Sequence, residues 1–132
     1  MQKIVPFLWF DGRAEEAMNF YISIFKNSKI GTVTRCGDGG PMFKFSPAIS
    51  LFVNCETQAE VDQLWEKLSA GGKPNRCGWL DDKFGVSWQV IPTTLGKLLS
   101  DPDPKKASRV MQAMMHMTKI DIAGLKAAYE QA

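Results

Sequence analysis

The side chains that could do chemistry in this 132-residue chain are few and widely spaced. His116 is the single histidine, which restricts general-base catalysis and metal binding, because protein zinc sites take three or four ligands and use His heavily. The acidic residues worth weighing fall in predicted helix turns or in one surface turn: Glu15, Glu16, Glu60, Glu66, Asp81 and Asp82. We expect these carboxylates to be solvated, so no acid–base pair stands out.

The three cysteines, Cys36, Cys55 and Cys77, form no C-x-x-C pair. An odd number at wide spacing is typical of reduced thiols, so the pattern predicts a cytoplasmic protein. We expect them to be small buried side chains. Cys55 and Cys77 are also the candidate nucleophiles, although nothing in the sequence pairs either with His116.

Composition excludes several classes of protein. Apolar residues make up 45% and charged residues 23% of the chain, as in an ordinary soluble globular protein. The net charge is only +2 and the basic pair Lys105-Lys106 is isolated, which argues against a nucleic-acid partner. The apolar run Ile4–Phe10 is too short to cross a membrane. The length predicts a single domain, 1–132.

A strand followed by an amphipathic helix occurs twice in the pattern. Ile4–Phe10 predicts a strand, a helix follows from Arg13, and Lys29–Arg35 predicts one further strand. Pro47–Val53 predicts the equivalent strand of the second copy, followed by a helix that begins at a Thr57-x-x-Glu60 capping box. A shift of 43 residues aligns the two copies, for example Asp11 with Asn54 and Met18 with Val61. The pattern therefore indicates an internal duplication.

Further elements complete the second copy and extend beyond it. Two short extended pieces flank the turns of Cys77–Gly85, and Val86–Ile91 alternates as a strand does, which makes the second copy βαβββ. Helices are predicted at Leu95–Leu99, Lys105–Met117 and Asp121–Tyr129. We therefore expect an α+β fold with module one at 1–46, module two at 47–92 and a helical tail at 93–132.

Three stretches of the sequence resemble one known family: FDGRAEEAMNFY, CGWLDDKFGVSWQVIP and SDPDPKKASRVMQAMMHMTKIDI. They are similar to the PhnB-like proteins, often labelled 3-demethylubiquinone 3-methyltransferase-like, of the vicinal oxygen chelate superfamily of glyoxalases, dioxygenases and bleomycin-resistance proteins. The resemblance implies that each βαβββ module curls into a half-barrel mixed sheet around a cavity, and that the chain pairs as a homodimer.

The first module departs from this family. It holds one clear strand and the glycine-rich stretch Gly37–Gly40 where the family has two further strands, about two dozen residues with their turn. An open edge of that kind is a liability that natural sheets avoid. We therefore expect a segment to have been omitted from the chain near Asp38-Gly39, with a true deletion as the alternative.

The resemblance also implies positions for a divalent metal, and this chain does not fill them. The first-strand positions fall on Pro6 and Ala48, whose side chains have no coordinating atom, and the last-strand position falls on Gln89. One neutral amide oxygen does not hold a transition metal, so we expect no metal ion and no cofactor. A glycine-rich loop between a strand and a helix is also missing, which leaves the methyltransferase label without support.

Strand alternation sorts the predicted faces. One parity is apolar throughout and suits the side covered by helices, whereas the other mixes aromatic rings with hydroxyls and an amide, as small-molecule pockets do. The residues predicted to bind a ligand are Phe10, Ser50, Phe52, Ser87 and Gln89. The sequence thus favours a metal-free protein that binds a small organic molecule, with two alternatives: a metal-dependent glyoxalase- or dioxygenase-type enzyme, and a non-catalytic sequestering protein.

Overall fold

The computed structural model describes residues 1–35 and 43–131. The chain divides into two compact units, Met1–Lys44 and Phe45–Ala132, which are described separately below. The longest helices of the described part have 12 residues, and none of its helices combines the length and apolarity that a bilayer crossing requires.

The first unit is built on helix α1, Ala14–Ile24. The N-terminus of α1 is stabilised by a bidentate contact between Arg13 and Glu16, in which the Nε–Oε2 and Nη2–Oε1 distances are both 3.0 Å. The acidic first turn, Glu15 and Glu16, suits the positive end of the helix dipole. Arg35 donates to both carboxylate oxygens of Glu15 at 2.9 Å, which ties the chain after the helix back to its first turn.

The strands predicted in the first module are not formed within residues 1–35. Ile4–Phe10 and Lys29–Arg35 have no ladder partner there, and a strand exists only when a neighbour accepts its backbone hydrogen bonds. Phe7, in the middle of the first apolar run, is 87% exposed. The predicted break near Asp38-Gly39 lies outside the described residues.

The second unit forms a four-stranded mixed sheet in the order β1-β4-β3-β2. Its elements are β1 (Ser50–Cys55), α2 (Gln58–Ser69), β2 (Lys73–Pro74), β3 (Trp79–Asp81) and β4 (Ser87–Pro92). β1 is parallel to β4, whereas β4, β3 and β2 pair antiparallel. This is the βαβββ order that the sequence predicts for the second copy, and the α+β class is confirmed.

Helix α2 covers one face of this sheet. Thr57 caps it by accepting a hydrogen bond from Glu60 N at 3.1 Å, as the capping box predicts. Its apolar stripe, with Val61 and Leu68 fully buried, packs on the strands. The strand residues on that face are those of the apolar parity: Leu51, Val53, Leu80, Trp88 and Val90. Within the strands the faces sort as alternation predicts, whereas Ile49, which shares this parity but precedes β1, is 77% exposed.

A helical tail follows the sheet: α3 (Thr93–Leu99), α4 (Pro104–Met115) and α5 (Ile122–Glu130). Asp103 and Asp121 cap the last two helices by accepting from Lys105 N at 2.9 Å and from Ala123 N at 3.2 Å. The tail has its own core beside the end of β4, made of Ile91, Leu95, Val110, Ile120 and Leu125. His116 ends α4 and is exposed.

Gln58 ties the tail to the sheet through the segment between α4 and α5. Its Nε2 donates to Ile120 O at 3.1 Å, and its Oε1 accepts from Ile122 N at 2.8 Å. Lys119 adds an ion pair to Asp62, with Nζ to Oδ1 at 2.9 Å, which lowers the pKa of that carboxyl. One amide side chain in the first turn of α2 therefore satisfies backbone groups more than 60 residues away.

Tyr129 holds α5 through a hydrogen bond between two ionisable groups, one that titrates at acid pH and one that titrates at alkaline pH. Its hydroxyl donates to Asp101 Oδ2 at 2.7 Å, and this bond lowers the pKa of Asp101 and raises the pKa of Tyr129. A lowered carboxyl pKa gives stability that is lost as pH falls below about 4, and a raised phenol pKa gives stability that is lost as pH rises above about 10.

We therefore expect Tyr129→Phe to be less stable than the parent chain by a constant amount between about pH 5 and 9, with the difference shrinking at either extreme. Urea unfolding of both proteins across this range measures it. Asp101→Asn is the matched variant: it removes the titrating carboxyl and with it the acid limb, and it weakens the alkaline limb because the Asp101 carboxylate is what raises the pKa of Tyr129. A difference that does not change with pH would contradict the assignment.

Candidate functional site

The face of the sheet opposite α2 carries the mixed side chains that the alternation predicts. Register sets Ser50 beside Ser87 and Phe52 beside Gln89 on the parallel pair β1–β4. β3 continues the face, because Trp79 pairs with Gln89 and Asp81 with Ser87. We call this surface the open face: Ser50, Phe52 and Asn54 of β1, Ser87 and Gln89 of β4, Trp79 and Asp81 of β3.

Two hydrogen bonds join polar groups across the open face. Gln89 Nε2 donates to Ser50 Oγ at 2.9 Å, linking residues 39 apart in the chain. Ser87, which is buried, donates its hydroxyl to Asp81 Oδ1 at 2.8 Å. The structure therefore brings together four of the five predicted site residues, and adds Asp81, which the sequence assigns to a solvated turn.

Phe10, the fifth predicted residue, belongs to the first unit. Its ring lies 6.4 Å from that of Tyr21 of α1, in a tilted contact. It is therefore part of the local packing of α1.

A groove of about 550 Å³ opens at the end of this face. Its lining comes from three elements: Phe52 and Asn54 of β1, Ile91 and Pro92 of β4, and Thr93, Gly96, Lys97 and Ser100 at α3. Of these only Phe52 was predicted, because strand alternation says nothing about a helix that follows the sheet. The sequence signal that could have found it is Gly96, a glycine inside a helix.

The donor set of the open face does not suit a metal ion. Of the positions at which the resemblance implies metal ligands, Pro6 of the first unit and Ala48 offer no side-chain donor, and Gln89 offers one neutral amide oxygen. Within residues 1–35 and 43–131, no three His, Cys, Asp or Glu side chains are grouped as metal ligands. A single carboxylate, Asp81, beside neutral hydroxyls and an amide lacks the three or four N, S or O ligands that catalytic metals take.

Asp82 is buried at 3% exposure and organises the turn between β3 and β4. Its Oδ1 accepts from Phe84 N at 2.9 Å and from Val86 N at 3.0 Å, and its Oδ2 accepts from Trp88 Nε1 at 2.9 Å. The prediction of a solvated turn carboxylate is wrong for this residue. Asp82 is buried because Trp88 covers it on the helix side of the sheet, and its hydrogen bonds offset the cost of burying the charge.

Cys55 is not a nucleophile in this structure. Burial, with a smaller contribution from the charge of Glu60, raises its pKa to about 11, so the thiol stays protonated at neutral pH. Cys77 is half-buried in the loop before β3. Gly37–Gly40 and Cys36 lie outside the described residues.

We expect Cys55 to react with a thiol reagent only when the protein unfolds, because the thiolate is the reactive form and access is blocked. Counting thiols with Ellman's reagent at pH 8, before and after denaturant, tests this. Cys55→Ser should lose one thiol from the denatured count and none from the native count. Loss of a fast native thiol in that variant would contradict the prediction, and Cys77→Ser is the matched comparison.

Comparison with known proteins agrees with this architecture. The family model described as 3-demethylubiquinone-9 3-methyltransferase matches residues 2–41 and 31–91, most of the first 91 residues. The two matched segments overlap within 31–41, a stretch that includes the expected break near Asp38-Gly39. No curated protein matches the chain significantly.

Two solved structures are similar to the chain. The PhnB protein from Bacillus cereus is 38% identical, with a TM-score of 0.62, over 67% of this chain and 97% of that one. The protein PA1353 from Pseudomonas aeruginosa is 22% identical, with a TM-score of 0.50, over 67% of this chain and 95% of that one. At this identity the similarity concerns the fold alone. By its family match and its identity to the Bacillus cereus protein, the chain belongs to the PhnB-like family described as 3-demethylubiquinone-9 3-methyltransferase.

Proposed function

We propose that the protein binds a small organic molecule on the open face without a resident metal ion. The observation that carries the proposal is Phe52, an aromatic ring 54% exposed on the edge strand β1, opposite Gln89 and beside the Gln89–Ser50 hydrogen bond. An apolar surface with a few fixed polar groups is the usual composition of a ligand site. The opposite face of the same strands is closed by α2.

The metal-free part of the proposal rests on the donor set. The superfamily positions for ligands correspond here to Pro6, Ala48 and Gln89, of which only Gln89 has a coordinating side-chain atom, one neutral amide oxygen. A ligand would therefore be oriented by hydrogen bonds and stacking. The alternatives are a metal-dependent glyoxalase- or dioxygenase-type enzyme and a sequestering protein.

We also propose that the protein is a cytoplasmic homodimer. The unpaired spacing of the cysteines supports a reducing compartment, and pairing is what the family resemblance implies. Met111 and Met115 of α4 are large, exposed and apolar, and suit a contact between copies.

Native mass spectrometry of the purified protein tests these proposals together. We expect a dimer mass, a small organic adduct lost on denaturation, and no stoichiometric divalent metal. Phe52→Ala should lose the adduct, whereas Met115→Ala, which removes a proposed dimer contact on α4 at a similar exposure of 56%, should weaken the dimer and keep the adduct.

Each departure from this result has a defined meaning. One divalent metal per chain would favour the metal-dependent enzyme. An adduct retained by Phe52→Ala would contradict the site. Tight rebinding of the released molecule without turnover would favour sequestration.

A further inference from the structure

Gly96 is a glycine that the packing of this chain does not explain. It lies inside α3, where glycine costs about 1 kcal/mol relative to alanine. A Cβ placed on it would meet nothing within 4 Å, and its backbone is not left-handed. The other helical glycine of the described part, Gly124, differs, since its Cβ would lie 2.9 Å from Met117 Cε.

The space that Gly96 leaves open is the groove between α3 and the open face. Its volume, about 550 Å³, falls within the range of small-molecule sites. A glycine inside a helix opposes the helix propensity, and residues that oppose their own secondary structure are expected at functional sites. Glycine therefore fits a groove that must admit something from outside the chain.

The lining of the groove indicates the class of molecule. Phe52 supplies the exposed apolar surface, Ile91 and Pro92 form an almost fully buried part of the lining, and Asn54, Thr93 and Ser100 add an amide and two hydroxyls. Lys97 supplies the charge: it is exposed and pairs with no carboxylate of the described residues within 4.0 Å. A positive charge at the rim of an apolar groove suits a carboxylate on an apolar body.

We propose that this groove binds a small apolar carboxylic acid, with the apolar body on Phe52 and the carboxylate at Lys97, and that Gly96 keeps the groove open. The proposal rests on the proposed function, because it names the class of ligand and the end of the open face that receives it.

Two naphthalene compounds of matched shape test the proposal: 2-naphthoate, which carries the carboxylate, and 2-naphthalenemethanol, which does not. In an NMR titration of the ¹⁵N-labelled protein we expect amide shifts at Phe52, Thr93 and Gly96, and about tenfold tighter binding of the carboxylate. Lys97→Met should abolish that preference while the alcohol binds as before. Lys126→Met removes an exposed lysine of α5 and should change neither affinity.

Gly96→Leu distinguishes a role of the glycine in ligand binding from a role in the stability of the fold. It should raise the melting temperature by about 3 °C, because leucine is a better helix former with free space around it, and it should weaken both compounds more than about tenfold. Gly96→Ala should give the same rise in melting temperature with a smaller loss of binding. A lowered melting temperature in both variants would mean that the fold itself requires the glycine, which overturns the argument.

Other outcomes are equally decisive. Equal affinity for the two compounds, or no effect of Lys97→Met, would overturn the inference that Lys97 recognises a carboxylate. Shifts confined to Ser50, Ser87 and Gln89, with normal binding by Gly96→Leu, would overturn the groove and leave the proposed function standing. Absence of any shift with both compounds would also overturn the groove, while the adduct test on Phe52→Ala decides the proposed function independently.

Discussion

Replacing Asp82 with alanine should destabilise the second unit by about 4 kcal/mol, because three donors lose one acceptor group at once. The carboxylate is buried and accepts from Phe84 N, Val86 N and Trp88 Nε1 at 2.9 to 3.0 Å. Two of these bonds fix the turn between β3 and β4, and the third joins the turn to the layer under α2. Urea unfolding followed by tryptophan fluorescence measures the loss.

A double-mutant cycle isolates the bond to the indole. Asp82→Asn keeps one acceptor oxygen for the turn but sets an amide NH₂ against Trp88 Nε1, and Trp88→Phe removes that donor. We expect Trp88→Phe to cost less in the Asp82→Asn background than in the parent, by about 1–2 kcal/mol. Additivity of the two changes would contradict a specific role for this bond. Circular dichroism can follow the Trp88→Phe variants, in which the indole signal changes.

Gly78→Ala is the second change with a large expected effect, of about 3 kcal/mol. Cys77 and Gly78 form a left-handed turn with φ of 61° and 83°, and their amides donate to Met117 O and Thr118 O at 2.8 Å. A Cβ on Gly78 would lie 2.7 Å from Ile91 Cδ1 and 3.0 Å from Ile120 Cγ1. The substitution should therefore push the α4–α5 segment away from the sheet.

Gly85→Ala is the matched control for backbone strain. Its φ is 88°, close to that of Gly78, but an added Cβ would meet nothing within 4 Å. We expect it to cost only about 1–2 kcal/mol, the penalty of a left-handed alanine. The difference in free energy of unfolding between the two variants then measures the close packing at Gly78. Equal losses would show that strain alone accounts for the glycine.

The helices could be predicted from the sequence because their signals are local. Thr57 with Glu60, Asp103 before Pro104, and Asp121 each satisfy backbone amides within three residues of themselves. The open face of β1 and β4 was predictable for the same reason, since alternation places Ser50 with Phe52 and Ser87 with Gln89 whatever the strands pair with.

The first predicted strand is not formed because strand formation depends on residues far away in the chain. Ile4–Phe10 has the right composition, yet within residues 1–35 no neighbouring strand accepts its hydrogen bonds. The equivalent segment of the second copy, predicted at Pro47–Val53, does contribute to β1 (Ser50–Cys55), because β4 is there to pair with it over six residues. Composition indicates which segments are compatible with a strand, but a neighbouring strand that pairs with the segment determines whether the strand forms.

Periodicity and short-range capping are enough to predict the α+β class, the helix starts, the βαβββ order of the second unit and the polarity of its open face. They do not predict that Gln89 donates to Ser50, that Asp82 is buried and bonded to Trp88, or that α3 and β1 line a common groove beside Gly96. These contacts depend on strand register and on where the tail packs. Both are set by packing between residues far apart in the chain, which no local pattern encodes.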